Sequence, residues 1–178
     1  MEPVFLSHAR AFGDGTHPTT AGVLAALDAI DPSLFTPKRA CDMGAGSGIL
    51  TLTLVSKFPC HVVAVDCEAE AVATLRENLA RSPVAADRVA VVWARGFDHP
   101  AIHAAAPFDL LVMNILAEPL LGLAAEAEAH LAADGVLIVS GLLVWQETQI
   151  QAAYTGLGLE LASRLLVGDW VTLVFQKP

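Results

Sequence analysis

Short apolar runs alternate along this chain with segments that have the periodicity of a helix. Four of the runs, HVVAV, VAVVW, DLLVM and VLIVS, are continuously apolar instead of alternating between apolar and polar residues. Strands have this composition when helices cover both faces of their sheet. The pattern therefore predicts an α/β fold, a doubly wound and mostly parallel sheet with helices on both faces.

Apolar periodicity, glycines and prolines set the boundaries of the predicted elements. Strands are predicted at 39–43, 61–65, 89–94, 108–113 and 136–140. Helices are predicted at 19–30, 49–57, 68–80, 118–133 and 145–154, with a turn at 134–135. The last segment differs, because two apolar runs at 159–167 and 170–176 are joined by Gly168 and Asp169. This pattern is typical of a hairpin and predicts a seven-stranded sheet that ends in an antiparallel pair.

Composition limits the class of protein. The chain has 178 residues, of which 54% are hydrophobic and 16% charged, and its mean hydropathy is +0.55. These values exclude a disordered chain and suit a single domain over residues 1–178. The densest apolar stretches, 110–117 and 135–145, are shorter than the roughly 20 residues that span a bilayer. We therefore expect no membrane partner and a cytoplasmic protein.

Charge and cysteines exclude further classes. A net charge of −9 and a pI near 4.9 argue against a nucleic-acid partner, since binding to phosphates normally needs a basic surface. Cys41, Cys60 and Cys67 form no CxxC pair and are odd in number. They are expected to be buried thiols, with no disulfide framework and no metal site.

The strongest chemical signal is a glycine-rich loop between the first predicted strand and the next helix. Its sequence is DMGAGSG, from Asp42 to Gly48. Glycine allows a tight turn or a backbone that lies against a ligand, and the N–H groups of the following helix attract an anionic group. The spacing is GxGxG, and Ile49 stands where a dinucleotide fingerprint has its third glycine, which disfavours NAD and FAD. The alternative is a plain glycine-rich turn.

Asp66 ends the next predicted strand, about 20 residues beyond the loop. An acidic side chain at this place accepts hydrogen bonds from the ribose hydroxyls of a nucleoside. Its alternative role is to cap the helix that follows. With the glycine loop, Asp66 predicts a cofactor that contains adenosine.

Four motifs in order carry a family resemblance. They are AFGDGTHPTT at 11–20, the loop continued as GSGIL, NILAEPL at 114–120 and SGLL at 140–143. From about Phe12 to the C-terminus the chain resembles the ribosomal protein L11 methyltransferase family, which belongs to the class I methyltransferases. The resemblance implies S-adenosyl-L-methionine as cofactor and N-methylation of protein amines. It makes ribosomal protein L11 a candidate substrate.

The resemblance also implies site residues. Asn114 would be catalytic, because it would face both the reacting end of the cofactor and the incoming amine. The implied cofactor-binding residues are Thr16, Thr20, Asp42, Gly44, Ala45, Gly46, Gly48, Asp66 and Asn114. Asn114 also stands out by itself, since a polar side chain after LLVM is costly unless it is paired. As alternatives to these roles, Asn114 suits a turn at the end of a strand, and Thr20 suits the first turn of a helix. His17 is a candidate for substrate contact, but a histidine beside a helix start is more often structural.

Three departures from the family pattern bear on function. Asp14 replaces the usual threonine, Ala45 replaces the usual cysteine, and only about a dozen residues precede the first motif. We expect the family's N-terminal substrate-recognition domain to be lacking and residues 1–18 to form a segment that covers the cofactor. An exposed apolar patch is then expected near Phe5 and Phe12.

Several functions stay open at this stage. A small-molecule amine is the alternative acceptor to a protein. A cofactor-binding domain without activity and an NAD(P)-dependent oxidoreductase are the other candidates, the second disfavoured by Ile49 and the terminal hairpin. The sequence does not predict an oligomeric state.

Overall fold

The computed structural model describes residues 17–82 and 86–178. The helices are α1 (Pro18–Ala29), α2 (Ile49–Lys57), α3 (Ala69–Arg81), α4 (Pro100–Ala105), α5 (Ala117–Gly122), α6 (Ala124–His130) and α7 (Glu147–Thr155). The strands are β1 (Arg39–Met43), β2 (His61–Asp66), β3 (Val89–Trp93), β4 (Phe108–Asn114), β5 (Leu131–Leu143), β6 (Glu160–Val167) and β7 (Trp170–Gln176). Short 3-10 turns lie at Ala86–Arg88 and Val144–Gln146.

The strands form one seven-stranded sheet in the order β3-β2-β1-β4-β5-β7-β6. Strands β1 to β5 are parallel to their neighbours in that group, and β7 is antiparallel to both β5 and β6. The predicted fold is therefore confirmed, including the C-terminal hairpin. The strand order reverses between β1 and β4, and open α/β sheets bind ligands at such a switch point.

Helices cover both faces of the sheet, because alternate side chains of β4 pack against different sets of helices. Leu110 and Val112 pack in one core with residues of α1 and α2, whereas Leu111 and Met113 pack in another with residues of α4 to α7. Successive residues of a strand point to opposite faces, so a strand covered on both sides must be apolar throughout. This explains the continuous apolar runs in the sequence.

The predicted helix at 118–133 is wrong in its last part. The chain forms two helices that meet at Leu123, and it enters β5 already at Leu131. Leu131 is buried and pairs with Phe108, and Asp134 takes a left-handed φ of 59° within an irregular stretch of β5. An Ala- and Glu-rich sequence favours helix locally, but burial beside Phe108 decides the start of the strand.

One helix of the structure has no counterpart among the predicted helices. This helix, α4, begins at Pro100. The preceding residue, His99, caps it, because its Nδ1 accepts a hydrogen bond from the Ala101 N–H. None of the helices in the described ranges has the length and apolar character needed to cross a membrane. The predictions about Phe5, Phe12, Asp14, Thr16 and residues 1–16 in general lie outside the described residues.

Candidate functional site

The predicted site residues converge at the carboxyl edge of the sheet, where the parallel strands end. The glycine loop follows β1, Asp66 is the last residue of β2, and Asn114 is the last residue of β4. Since β2, β1 and β4 are neighbours, these three features stand side by side. The fold alone therefore brings together residues that are far apart in the sequence.

The glycine loop is shaped by positive φ angles and by close packing. Gly44, Gly46 and Gly48 have φ angles of 79°, 55° and 87°, which L side chains rarely adopt. A Cβ on Gly44 would lie 2.2 Å from Ile115 Cγ2, and one on Gly48 would lie 2.2 Å from Leu75 Cδ1. Glycine is thus required at both positions by conformation and by space.

Most loop N–H groups are already bonded within the protein. Gly44 and Ala45 both donate to the Val65 carbonyl, at 2.8 and 2.9 Å, and Gly48 donates to the Ala45 carbonyl at 2.8 Å. The first bond of helix α2 runs from the Leu52 N–H to the Gly48 carbonyl. An anionic group at this helix would therefore meet the N–H groups of residues 49 and 50, before the bonded ones of Gly44, Ala45 and Gly48.

Asp66 links the loop to the next helix. One carboxylate oxygen accepts from the Gly46 N–H at 2.8 Å, and the other accepts from the Glu68 N–H at 2.9 Å. The cap residue of α3 is Glu68, so Asp66 lies just outside that helix. Each carboxylate oxygen can accept a second hydrogen bond, and both hydroxyls of a ribose remain possible donors.

Asp42 is a buried carboxyl group in β1, two residues before the first glycine of the loop. Its Oδ2 accepts from the Thr51 hydroxyl at 2.6 Å, while Oδ1 has no partner among the described residues. The pKa of Asp42 is raised to about 6, because burial and, as a smaller cause, the charge of Asp66 raise it more than the hydrogen bonds from Thr51 lower it. At neutral pH this carboxylate is mostly ionised, so it places negative charge beneath the loop.

Asn114 meets the start of α1. Its Nδ2 lies 3.5 Å from Thr20 Oγ1, at the limit of a hydrogen bond. Thr20 is buried, and its hydroxyl contacts Asn114 from the first turn of α1. His17 caps α1: its Nδ1 accepts from the Thr19 N–H at 3.4 Å, and its ring packs edge-on against Trp170.

The sequence interpretation missed a buried polar network behind Asn114. Ser140 lies opposite Asn114 in the neighbouring strand β5. Its Oγ lies 2.9 Å from Thr172 Oγ1 and 3.3 Å from the Thr19 carbonyl oxygen. A Cβ on Gly22 would lie 2.3 Å from Thr172 Oγ1, so α1 can approach β7 only with glycine there. A polar residue that ends the run VLIVS was the available signal for this network.

Two further residues support the loop without having been predicted. Thr51 binds Asp42 as described, and the Asn78 side chain of α3 donates to the Ser47 carbonyl at 2.8 Å. Both are polar residues on otherwise apolar helix faces. Within residues 17–82 and 86–178, no group of three or more His, Cys, Asp or Glu side chains is arranged to hold a metal ion.

Comparisons with known proteins point to one family. The family model described as "Ribosomal protein L11 methyltransferase (PrmA)" matches residues 4–178. A ribosomal protein L11 methyltransferase of Chelativorans sp. (strain BNC1) is 40% identical over 175 residues, which are 98% of this chain and 60% of that protein. The protein of the same name from Brucella suis (strain ATCC 23445 / NCTC 10510) is 39% identical, over 92% of this chain and 56% of that protein. The chain thus spans somewhat more than half the length of these relatives.

Solved structures agree with this relationship. The crystal structure of ribosomal protein L11 methylase from Lactobacillus delbrueckii subsp. bulgaricus matches with a TM-score of 0.83 at 27% identity, over 100% of this chain and 91% of that one. The N-methyltransferase NodS from Bradyrhizobium japonicum WM9, in complex with S-adenosyl-l-homocysteine, matches with a TM-score of 0.71 at 15% identity, over 93% of this chain and 90% of that one. At that identity the second match supports the fold alone.

Proposed function

Since the chain belongs to the ribosomal protein L11 methyltransferase family, we propose that it is an S-adenosyl-L-methionine-dependent methyltransferase that N-methylates protein amines. We propose ribosomal protein L11 as the leading substrate, because the relatives carry that name. One observation carries the proposal: the glycine loop, Asp66 and Asn114 converge at the carboxyl edge of three neighbouring strands.

The loop and Asp66 fit the nucleoside and amino-acid parts of this cofactor. The positive φ of Gly44 shapes a loop whose backbone a ligand can approach, and a Cβ at this position would collide with Ile115 and shift the loop. Asp66 is held by the Gly46 and Glu68 N–H groups and keeps acceptor capacity for ribose hydroxyls. We assign Ala45, Gly46 and Gly48 to the same loop contact.

Charge also suits this cofactor. Asp42 lies beneath the loop and has an oxygen without a partner among the described residues. S-Adenosyl-L-methionine carries a sulfonium and an ammonium group, and a nearby carboxylate stabilises positive charge. We propose that Asp42 contributes to cofactor binding through this field, together with the shape that its bond to Thr51 gives the loop.

Asn114 is proposed to orient the acceptor amine. When bound, the cofactor supplies an activated methyl group. If the Asn114 Nδ2 points towards Thr20, its Oδ1 remains available to accept a hydrogen bond from a neutral amine and to fix the direction of the amine's lone pair. Such alignment lowers the barrier of a two-reactant step by several kcal/mol.

The acceptor must be neutral before it reacts. A free lysine amine has a pKa near 10.4, and desolvation beside apolar side chains lowers it. The described residues that contact or pair with Asn114 in the structure include Thr20 and Ser140, and neither is a strong base. We therefore propose deprotonation to solvent as the amine is desolvated.

The fold bears on the alternatives. A Rossmann dinucleotide-binding sheet has parallel strands in the order 3-2-1-4-5-6, whereas here the antiparallel β7 lies between β5 and β6. This disfavours an NAD(P)-dependent oxidoreductase. A small-molecule methyltransferase and an inactive cofactor-binding domain share the same site and are separated by the experiment below.

Partners and compartment follow from the same proposal. All three cysteines are free, which suits a reducing compartment. Cys41 and Cys60 are buried as predicted, whereas Cys67 is exposed, so the prediction of a buried thiol is wrong at that position. We propose action in the cytoplasm on a protein substrate. The net charge of −9 supports the absence of a nucleic-acid partner.

The proposal is tested by two measurements on the same preparation. Isothermal titration calorimetry compares S-adenosyl-L-methionine with NADH, and we expect binding of the first alone. Mass spectrometry then follows methyl transfer to purified bacterial ribosomal protein L11 and to small amines. Binding without any transfer would support the inactive domain, transfer only to small amines would support the second alternative, and no cofactor binding would overturn the proposal.

A further inference from the structure

Most of the large exposed apolar side chains in the described residues lie along the carboxyl edge of the sheet, spread from β3 to β6. Of the seven large hydrophobic residues that are exposed in the described ranges, five lie at strand ends on this edge: Trp93, Leu116, Val144, Trp145 and Leu166. Trp145 is 77% exposed and Leu116 is 69% exposed. Large exposed apolar groups that cluster in one place mark interaction sites, whereas single ones need no explanation.

Three of them form an apolar rim, defined here as Leu116, Val144 and Trp145. Leu116 comes two residues after Asn114, and Val144 and Trp145 follow β5 directly. The two chain segments lie against each other, because a Cβ on Gly141 would be 2.0 Å from the Ile115 carbonyl oxygen. The rim therefore borders the place where Asn114 is proposed to receive the acceptor.

The rim has two acidic neighbours, Glu118 and Asp169. Glu118 follows Leu116 by two residues, and Asp169 lies in the β6–β7 turn, where its carbonyl accepts from the Val144 N–H at 3.0 Å. Both are exposed, and neither forms an ion pair with another described residue. Arg164 in β6 is already paired with Glu147.

The lysines of the chain lie at the opposite edge. Lys38 precedes β1, Lys57 ends α2 and Lys177 follows β7, all at the amino edge of the parallel strands. Lys57 and Lys177 are paired with Asp28 and Glu128 there. Among the described residues, the carboxyl edge beside Asn114 thus carries apolar and acidic side chains, while the exposed Arg95 lies three strands away, after β3. This part of the edge complements a ligand that is apolar and cationic.

We propose that the apolar rim, with Glu118 and Asp169, is the docking surface for the methyl acceptor, and that this acceptor is a protein segment in which an amine-bearing residue is flanked by apolar side chains. The inference rests on the proposed function and specifies its substrate class. Trp145 is its central anchor, because large aromatic side chains dominate the energetics of such contacts. Glu118 and Asp169 attract the cationic segment before the amine loses its proton.

A peptide-binding experiment tests this directly. The full chain is loaded with S-adenosyl-l-homocysteine, which allows no methyl transfer. Fluorescence anisotropy then measures the Kd of a short labelled peptide with one lysine between leucine and isoleucine, and of the same peptide with glutamine instead of lysine. We expect the lysine peptide to bind about tenfold more tightly than the glutamine peptide.

Variants locate the binding surface. Trp145→Ala is expected to raise the Kd of the lysine peptide about tenfold. Trp145→Phe should keep most of the wild-type affinity, because an aromatic anchor is retained. Leu34→Ala is the matched control, since Leu34 is 86% exposed in the loop between α1 and β1, at the other edge. It should leave the peptide Kd unchanged.

The outcomes separate this inference from the proposed function. Calorimetry of S-adenosyl-l-homocysteine binding reports on the cofactor site and should give the same Kd for the wild type, Trp145→Ala and Leu34→Ala. Equal peptide affinities for the wild type and Trp145→Ala, or no preference for lysine, would overturn the docking surface even if the cofactor binds. A wild-type dimer in sedimentation that Trp145→Ala dissociates would overturn it too, by assigning the rim to a second copy of the chain.

Discussion

The buried carboxylate of Asp42 makes a strong prediction about stability and pH. Burial raises its pKa from 3.8 to about 6, and only one of its oxygens has a hydrogen-bond partner among the described residues. The perturbation is Asp42→Asn, which keeps an acceptor for the Thr51 hydroxyl and removes the charge. The structure thus predicts that the variant loses a pH dependence that the wild type has.

The sign follows from proton binding. A pKa raised on folding means that the folded state holds its proton more tightly, so Asp42 stabilises the protein fully at low pH. That contribution is lost as the pH rises through about 6. A shift of about 2 units corresponds to about 3 kcal/mol in total, and about half of this loss falls between about pH 5 and about pH 7.5.

Urea denaturation at these two pH values measures the effect. The free energy of unfolding of Asp42→Asn, minus that of the wild type, should increase by about 1–2 kcal/mol from the lower to the higher pH. Asp87→Asn, an exposed aspartate before β3, is the control and should keep the wild-type dependence. Equal pH dependence in the wild type and Asp42→Asn would refute the reasoning, whatever the absolute stabilities are.

Three further predictions concern the loop and its support. Asp66→Ala should weaken binding of S-adenosyl-L-methionine by about 1.5–3 kcal/mol in calorimetry, the scale of hydrogen bonds to a charged group, and unchanged affinity would leave Asp66 a role in the loop alone. Gly44→Ala should cost about 1–3 kcal/mol of unfolding free energy in urea, because its Cβ meets Ile115 at a positive φ; wild-type stability would mean that the loop adjusts freely. Ser140→Ala should lower the melting temperature by about 2–4 °C in calorimetry, since a buried network loses one member, and an unchanged value would contradict its importance.

The strands and their mostly parallel arrangement could be predicted from the sequence, because the strongest local signals agreed with the tertiary structure. Continuous apolar runs, glycines after strands and the Gly168-Asp169 turn predicted a mostly parallel seven-stranded sheet with a C-terminal hairpin, which the structure has. The order of the strands in the sheet was not predicted. The helix predicted at 118–133 failed in its last residues, because the start of β5 depends on Leu131 packing beside Phe108, a contact that no local pattern contains.

At the candidate site, too, features with a local sequence signal could be predicted, and contacts that depend on the fold could not. Asp66 and the glycine loop could be predicted, since their spacing along one βαβ unit carries the signal. Three partners could not, because each meets its counterpart only through the fold: Thr51 with Asp42, Asn78 with Ser47, and Ser140 with Thr172. The structure also shows that Gly44 and Ala45 donate their N–H groups to Val65, so the loop offers a close backbone approach more than free donors.

The central claim is that Asn114 aligns an acceptor amine with a bound methyl donor, and single-turnover methyl transfer tests it most directly. Purified chain, wild type or Asn114→Ala, is saturated with radiolabelled S-adenosyl-L-methionine and mixed with ribosomal protein L11. We predict that the wild type transfers label to L11 amines and that Asn114→Ala is slower by about a hundredfold, while its cofactor Kd changes less than about threefold. Transfer by Asn114→Ala at the wild-type rate would contradict the account, as would a wild-type chain that binds the cofactor and labels no amine.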